Sequence, residues 1–271
     1  MKHSSPLPAA PHLFAEYLAN AAPATWKGFR AEARDAYDEL CEALSARQRG
    51  LCVFCEIDLI TSQGFHAREI EHWRPKSLDQ HGAMDWTFGI NNLQLGCLGG
   101  SRRWPLADHD RTGDPKPGPN LSCGASKGNR DPALPMDGVL PYRPSDLPEG
   151  PTMFVVASNG EIRPVGNCAA HGLDAARLIA TIAFLGLNCT RLKNAREAIL
   201  RSLDEALLQY LENAEGNSED ERFDVAYQNL ARDSAPDPVG NLPPFVSTIR
   251  SFFGPNLDPV LFPISGWSNG D

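Results

Sequence analysis

A chain of 271 residues is long enough to bury a sizeable core in one large domain or two small ones. With 42% hydrophobic and 22% charged residues it is ordinary globular material and not a disordered tail, and no apolar run approaches the roughly 20 residues of a membrane helix. A net charge of −9 excludes a chain that is basic throughout, yet residues 61–130 carry nine Lys/Arg against seven Asp/Glu while residues 201–271 carry four against twelve.

The opening residues, MKHSSPLPAAPHLF, contain no apolar leader segment, so the cytoplasm is the expected compartment, where thiols stay reduced. Residues 12–22 and 26–48 read as helices. In the second, Phe29, Ala33, Tyr37, Leu40 and Leu44 recur at helical spacing and Gly50 closes the run. Residues 51–170 are broken repeatedly by Gly and Pro. Within them TMFVVAS and EIRPV flank Asn159-Gly160, which predicts a β-hairpin. From Asp174 onward the pattern is helical again. Leu178, Ile182 and Leu185 form one stripe, and Leu192, Ala195, Ile199, Leu203, Ala206 and Tyr210 a second, joined or kinked at 186–188. Shorter helices are expected at 218–232 and 244–253.

Seven cysteines in a reducing compartment point to metal ligands plus leftovers, not to a disulfide set. Cys52 and Cys55 have the spacing with which two thiolates reach one metal ion from a tight turn. A redox CxxC is the other reading, but the strand–helix pattern that usually carries one is absent. Cys97 and Cys123 follow, on either side of a loop rich in Gly and Pro, and complete a four-thiolate zinc set; the plain alternative makes either one a small buried hydrophobe. Cys41, Cys168 and Cys189 read as packing residues.

Between the cysteine pairs lies REIEHWRPKS, residues 68–77, followed by WTFGINNLQLGC and CGASKGN. The succession CxxC, (D/E)HxxP, NLxxxC, CxxxKG resembles the zinc-stapled HNH endonucleases. EHWRPKS and the later TIAFLGLNCTRLKNAREAIL look most like the members found beside retrons and in the Septu antiphage system, the PtuB nucleases. The resemblance spans about residues 26–203. It implies an α+β fold with a ββα-metal core, strands near 51–52 and 56–71 leading to a helix near 126–130, flanked by N-terminal helices and a helical C-terminal half. The corresponding segments are 1–49, 50–132, 133–173 and 174–271.

By the same resemblance His72 is the general base, Glu71 a ligand of a catalytic Mg²⁺ or Mn²⁺, and Asn92 the residue that orients the catalytic loop. Zn²⁺ on Cys52, Cys55, Cys97 and Cys123 is structural. Histidine titrates near neutrality and oxygen ligands suit hard cations, so the chemistry fits phosphodiester hydrolysis. Arg74, Lys76 and Lys127 are expected to contact DNA phosphates, RNA being the other possible substrate. An ATPase of the SMC/ABC type is the partner the resemblance implies, and no membrane is involved. One position departs from the family: Gly124 follows the fourth cysteine, where His or Asn is usual. Asn129, or His109 or Asp110 in the loop, stands ready to replace it; otherwise the chain is a zinc-knuckle module that only binds nucleic acid or bridges proteins. Plainer roles stand beside these: His72 as a core histidine, Asn91 and Asn92 as a turn or helix cap, the basic residues and the acidic C-terminal region as solvated surface. His66 has no assigned role.

Overall fold

The structure, a computed structural model, describes residues 1–20, 25–60, 68–79, 85–101, 120–149, 153–254 and 258–261. Three helices open the chain: α1 (His12–Asn20), α2 (Trp26–Glu32) and α3 (Arg34–Arg47). The single helix expected over 26–48 is thus two, because the backbone turns at Ala33 (φ −119°, ψ 58°). The turn lets Trp26 and Phe29 join Phe14 and Phe88 in a cluster of tilted and edge-on rings 5.3–6.3 Å apart, while Tyr37, Leu40 and Leu44 of α3 are buried as well.

After α3 the chain folds into the turn that carries Cys52 and Cys55. The expected strand at 51–52 is one isolated bridge, Leu51 to Asp58, and at the described end of the expected strand 56–71 only β1 (Arg68–His72) is extended. Residues 61–67, with His66, lie outside the described residues. Glu56, in place of starting a strand, adopts φ 66° and stays buried. Its carboxylate takes the Met1 amino group at 3.0 Å, the Ser247 N–H at 2.8 Å and the Ser247 hydroxyl at 2.5 Å. Burial opposes ionisation there, but these donors hold the carboxyl below its ordinary range.

A short helix, α4 (Asp85–Phe88), precedes β2 (Leu93–Cys97), which pairs antiparallel with β1 in the register Glu69–Gly96, Glu71–Gln94, His72–Leu93. The helix expected at 126–130 is α5 (Cys123–Lys127), which starts at the fourth cysteine and ends where Gly128 adopts φ 55°. Its start is earlier because the Cys123 N–H bonds to Leu185 O and Ser126 N–H to Ser122 O. The expected hairpin is present as β3 (Phe154–Val156) and β4 (Ile162–Pro164), with Gly160 at φ 73° in the turn.

Helices α6 (Ala175–Phe184) and α7 (Thr190–Asn213) are separate, with Gly186 at φ 59° in the joint. Asn188 in that joint accepts from Ile162 N–H and donates to Ile162 O, tying the hairpin to it. Helices α8 (Glu219–Asp233), α9 (Val246–Phe253) and α10 (Asp258–Leu261) complete the described chain. One apolar core runs from Met1 through Leu40, Leu95 and Phe184 to Phe245; a second lies among Leu203, Leu230, Val246 and Phe253.

Gln48, fully buried at the end of α3, does the work of a neighbouring strand for β2. Its Oε1 accepts from Leu95 N–H at 2.7 Å, and its Nε2 donates to Leu95 O at 2.7 Å and to Leu51 O at 3.0 Å. Leu95 O also accepts from Val53 N–H at 3.3 Å, but Leu95 N–H and Leu51 O would lose the Gln48 partner. Each buried backbone group left without a partner costs about 1–3 kcal/mol, so Gln48→Leu should lower unfolding free energy by about 2–4 kcal/mol. Chemical denaturation at equal zinc content measures this, and a loss below about 0.5 kcal/mol would remove the role assigned to Gln48.

Candidate active site and metal centre

The four predicted cysteines converge. The Cys52 and Cys55 sulfurs come from the turn after α3, Cys97 from the last residue of β2 and Cys123 from the first of α5. All four are buried, and their sulfurs lie within 4.8 Å of one another. Sγ–Sγ separations are 3.9 Å for Cys52–Cys123, 3.6 Å for Cys55–Cys97 and 3.7 Å for Cys97–Cys123. A tetrahedron with Zn–S bonds of about 2.3 Å has edges of about 3.8 Å, so these separations fit the edges of a zinc site. Burial pushes the Cys123 thiol well up. It opposes ionisation of Cys52 too, but the three neighbouring sulfurs hold that thiol low. A cation resolves the competition by stabilising thiolate on every sulfur. Cys41, Cys168 and Cys189 stand outside the cluster.

Next to this centre a cleft of about 160 Å³ is lined by Glu69, Glu71, His72, Lys76, Lys127 and Asn129, among others. His72 ends β1 and is 4% exposed. Its Nε2 sits 2.9 Å from Thr87 O, and a carbonyl only accepts, so Nε2 carries the proton and Nδ1 the lone pair. Nδ1 faces Lys76 Nζ at 3.5 Å, and the Trp26 ring meets the imidazole edge-on at 4.4 Å. Burial, then the Lys76 charge, push the His72 pKa down to about 3, which keeps the ring neutral at pH 7.

Asn92 closes a bracket around the His72 loop. Its Oδ1 accepts from Arg74 N–H at 2.8 Å, and its Nδ2 donates to Arg74 O at 2.9 Å and to Trp86 O at 2.5 Å. It therefore ties the loop after β1 to α4 and is not a turn cap alone. Arg74 is committed: its guanidinium makes two hydrogen bonds to the Asp131 carboxylate, 3.1 and 2.7 Å, and stacks 4.3 Å from the Trp86 ring centre. Lys127 is buried, donates to Gly128 O at 3.0 Å, and has its pKa lowered by burial, with Glu71 opposing.

Glu71 explains the departure at Gly124. A Cβ built on Gly124 would stand 1.6 Å from Glu71 Oε1 and 2.3 Å from Oε2, and one on Gly96 would stand 2.9 Å from Glu71 Cγ. Two absent side chains thus make the slot that the Glu71 side chain fills. Burial, and next the charge of Glu69, raise the Glu71 pKa to about 7; the two carboxyl groups are close enough to share a proton. Of the replacements expected for position 124, Asn129 lines the cleft, while His109 and Asp110 lie outside the described residues.

The sequence reading missed Glu69, Trp26, Gln48 and Gln94. For Glu69 the available signal was strand alternation, which puts residues 69 and 71 on one face.

Over 192 residues the chain is 30% identical to the Escherichia coli protein described as "Retron Ec83 putative HNH endonuclease", a match that covers 65% of this chain and 70% of that protein. The chain belongs to the HNH endonuclease family. No family model matches it. The cysteine cluster is fit for a structural zinc, and among the described residues no helix is long and apolar enough to cross a membrane.

Two outcomes follow for the HNH chain. Purified protein should carry one zinc per chain, and Cys97→Ala should abolish it with a large fall in Tm, as elemental analysis and calorimetry would read. Glu71 has a folded pKa above its unfolded value, so its stabilising contribution is present below about pH 4.5 and lost as pH rises to about 7. Without added Mg²⁺, wild type should therefore lose about 2 kcal/mol relative to Glu71→Gln between pH 5.5 and 7.5. Parallel stability–pH curves would contradict it.

Proposed function

We propose that this chain is a metal-dependent HNH endonuclease that hydrolyses phosphodiester bonds in DNA. The observation that supports it most is the state of His72: a neutral imidazole with its proton held on Nε2 by Thr87 O, and its Nδ1 lone pair in the cleft beside Glu71, facing Lys76 Nζ at 3.5 Å. In this reading Nδ1 takes the proton of the attacking water. Asn92 keeps the loop after β1 and the α4 segment at a fixed separation, which holds His72 in place. Glu71 and Asn129 are the proposed ligands of Mg²⁺ or Mn²⁺, and a bound ion would supply Lewis acidity to the scissile phosphate and its leaving oxygen. Lys76 and Lys127 lie in the cleft where phosphate oxygens would sit, and Arg74 lies on the same loop.

The antiparallel pair β1–β2 with α5 against it supports a ββα-metal core, the zinc on Cys52, Cys55, Cys97 and Cys123 being purely structural. We assign that core to residues 50–132, between an N-terminal helical segment 1–49 and a connection 133–173 that leads into the helical region 174–271. Likeness to the PtuB nucleases of Septu systems supports an antiphage effector in the cytoplasm, gated by an SMC/ABC-type ATPase. The acidic region 201–271 fits such delegation, since its charge repels a phosphate backbone.

Plasmid cleavage in Mg²⁺ and in Mn²⁺ tests the activity. Wild type should nick or linearise DNA, and zinc-replete His72→Ala should fall by a factor of about 10²–10⁴. If wild type stays silent even with the ATPase subunit, the chain is a zinc-knuckle binding module instead.

A further inference from the structure

The face of the β1–β2 pair that carries Glu71 gathers three oxygen-bearing side chains, beside a cleft that also holds Lys76 and Lys127. Strand alternation and register place Glu69, Glu71 and Gln94 there together, with Gly96 directly opposite Glu69. Gln94 is 5% exposed, and its Oε1 is buried with no hydrogen-bond partner among the described residues. A buried acceptor left so costs about 1–3 kcal/mol, and two adjacent carboxyl groups repel once both are ionised, so the fully ionised arrangement is unfavourable by itself. A hard divalent cation, which collects oxygen ligands, removes both penalties at once.

Gly96 and Gly124 make the arrangement possible. No left-handed backbone angle is recorded at either, so what they supply is room: a side chain at 124 would occupy the volume of the Glu71 carboxylate. Gly124 is then not a lost ligand but the space into which the carboxylate of β1 extends.

We propose that Glu69 and the Gln94 side-chain oxygen join Glu71 in holding the divalent cation, and that Gly124 is required to admit the Glu71 carboxylate to that site. This rests on the nuclease reading for the cation's role in the reaction, but binding can be measured without cleavage. Manganese binding to the zinc-loaded full chain, followed by the electron paramagnetic resonance of free Mn²⁺, is the readout. Wild type should bind one Mn²⁺. Glu69→Gln should weaken it at least tenfold, Gln94→Leu several-fold and Gly124→Ala at least tenfold, each with one zinc retained and a cooperative thermal transition.

Wild-type affinity in Glu69→Gln, or in Gly124→Ala, overturns the proposal, as does a wild type that binds no Mn²⁺. Since Gly124→Ala strains its surroundings, Glu69→Gln, which keeps shape and volume, decides if the former fails to fold. Binding with the expected losses but no DNA cleavage by wild type would retain the site and reject the nuclease. Cleavage by wild type with unaltered Mn²⁺ affinity in Glu69→Gln would do the reverse.

Discussion

Four sulfurs from three distant stretches of chain, all within 4.8 Å of one another, are the constraint on which the remaining geometry depends. Cys97 is the last residue of β2 and Cys123 the first of α5, so a metal on these atoms fixes where the strand ends and the helix begins. Cys123 itself adopts φ 55°, an unusual angle for a side chain that branches from the backbone, and the surrounding bonds to Leu185 and Ser122 hold it there. Because α5 is placed this way, Gly124 faces β1 and the Glu71 carboxylate lies against it. Zinc chemistry and cleft chemistry are thus separate in atoms but joined through one residue step.

The cleft combines two electrostatic demands that oppose each other. The Lys76 charge helps keep His72 neutral, while Glu69 helps keep Glu71 from ionising. A buried site of mixed charge holds these states only while its geometry is rigid. Asn92, with three hydrogen bonds to the loop after β1 and to α4, and Trp26, edge-on to the imidazole, supply that rigidity from the N-terminal helices and the α4 segment. The aromatic cluster of α1 and α2 is therefore part of the wall behind the site as well as of the core.

Much of this was legible in the residues. The cysteine spacing anticipated the cluster, the NG turn anticipated the β3–β4 hairpin, and the apolar stripes anticipated α6 and α7, because each is a local pattern. What stayed hidden was non-local. LQLGC alternates correctly for a strand, but it is short, and β2 completes its hydrogen bonds through the side chain of Gln48, 47 positions earlier. The break at Ala33 follows from ring packing with Phe14 and Phe88, which no helical stripe records. Gly124 read as a loss for the same reason: the carboxylate that fills its space comes from residue 71.

The Arg74–Asp131 pair has a further consequence for how nucleic acid would be read. Any phosphate that takes the Arg74 fork must first displace a carboxylate already bound to it in two places. In that event Asp131 would compete as an intramolecular anion held at high effective concentration beside the guanidinium. Raising salt weakens this competitor along with the phosphate contact, so at this position the two screening effects partly cancel. The loop would then discriminate a polyanion that presents several phosphates at once from an isolated one, by cooperation among contacts and not by the strength of any single arginine.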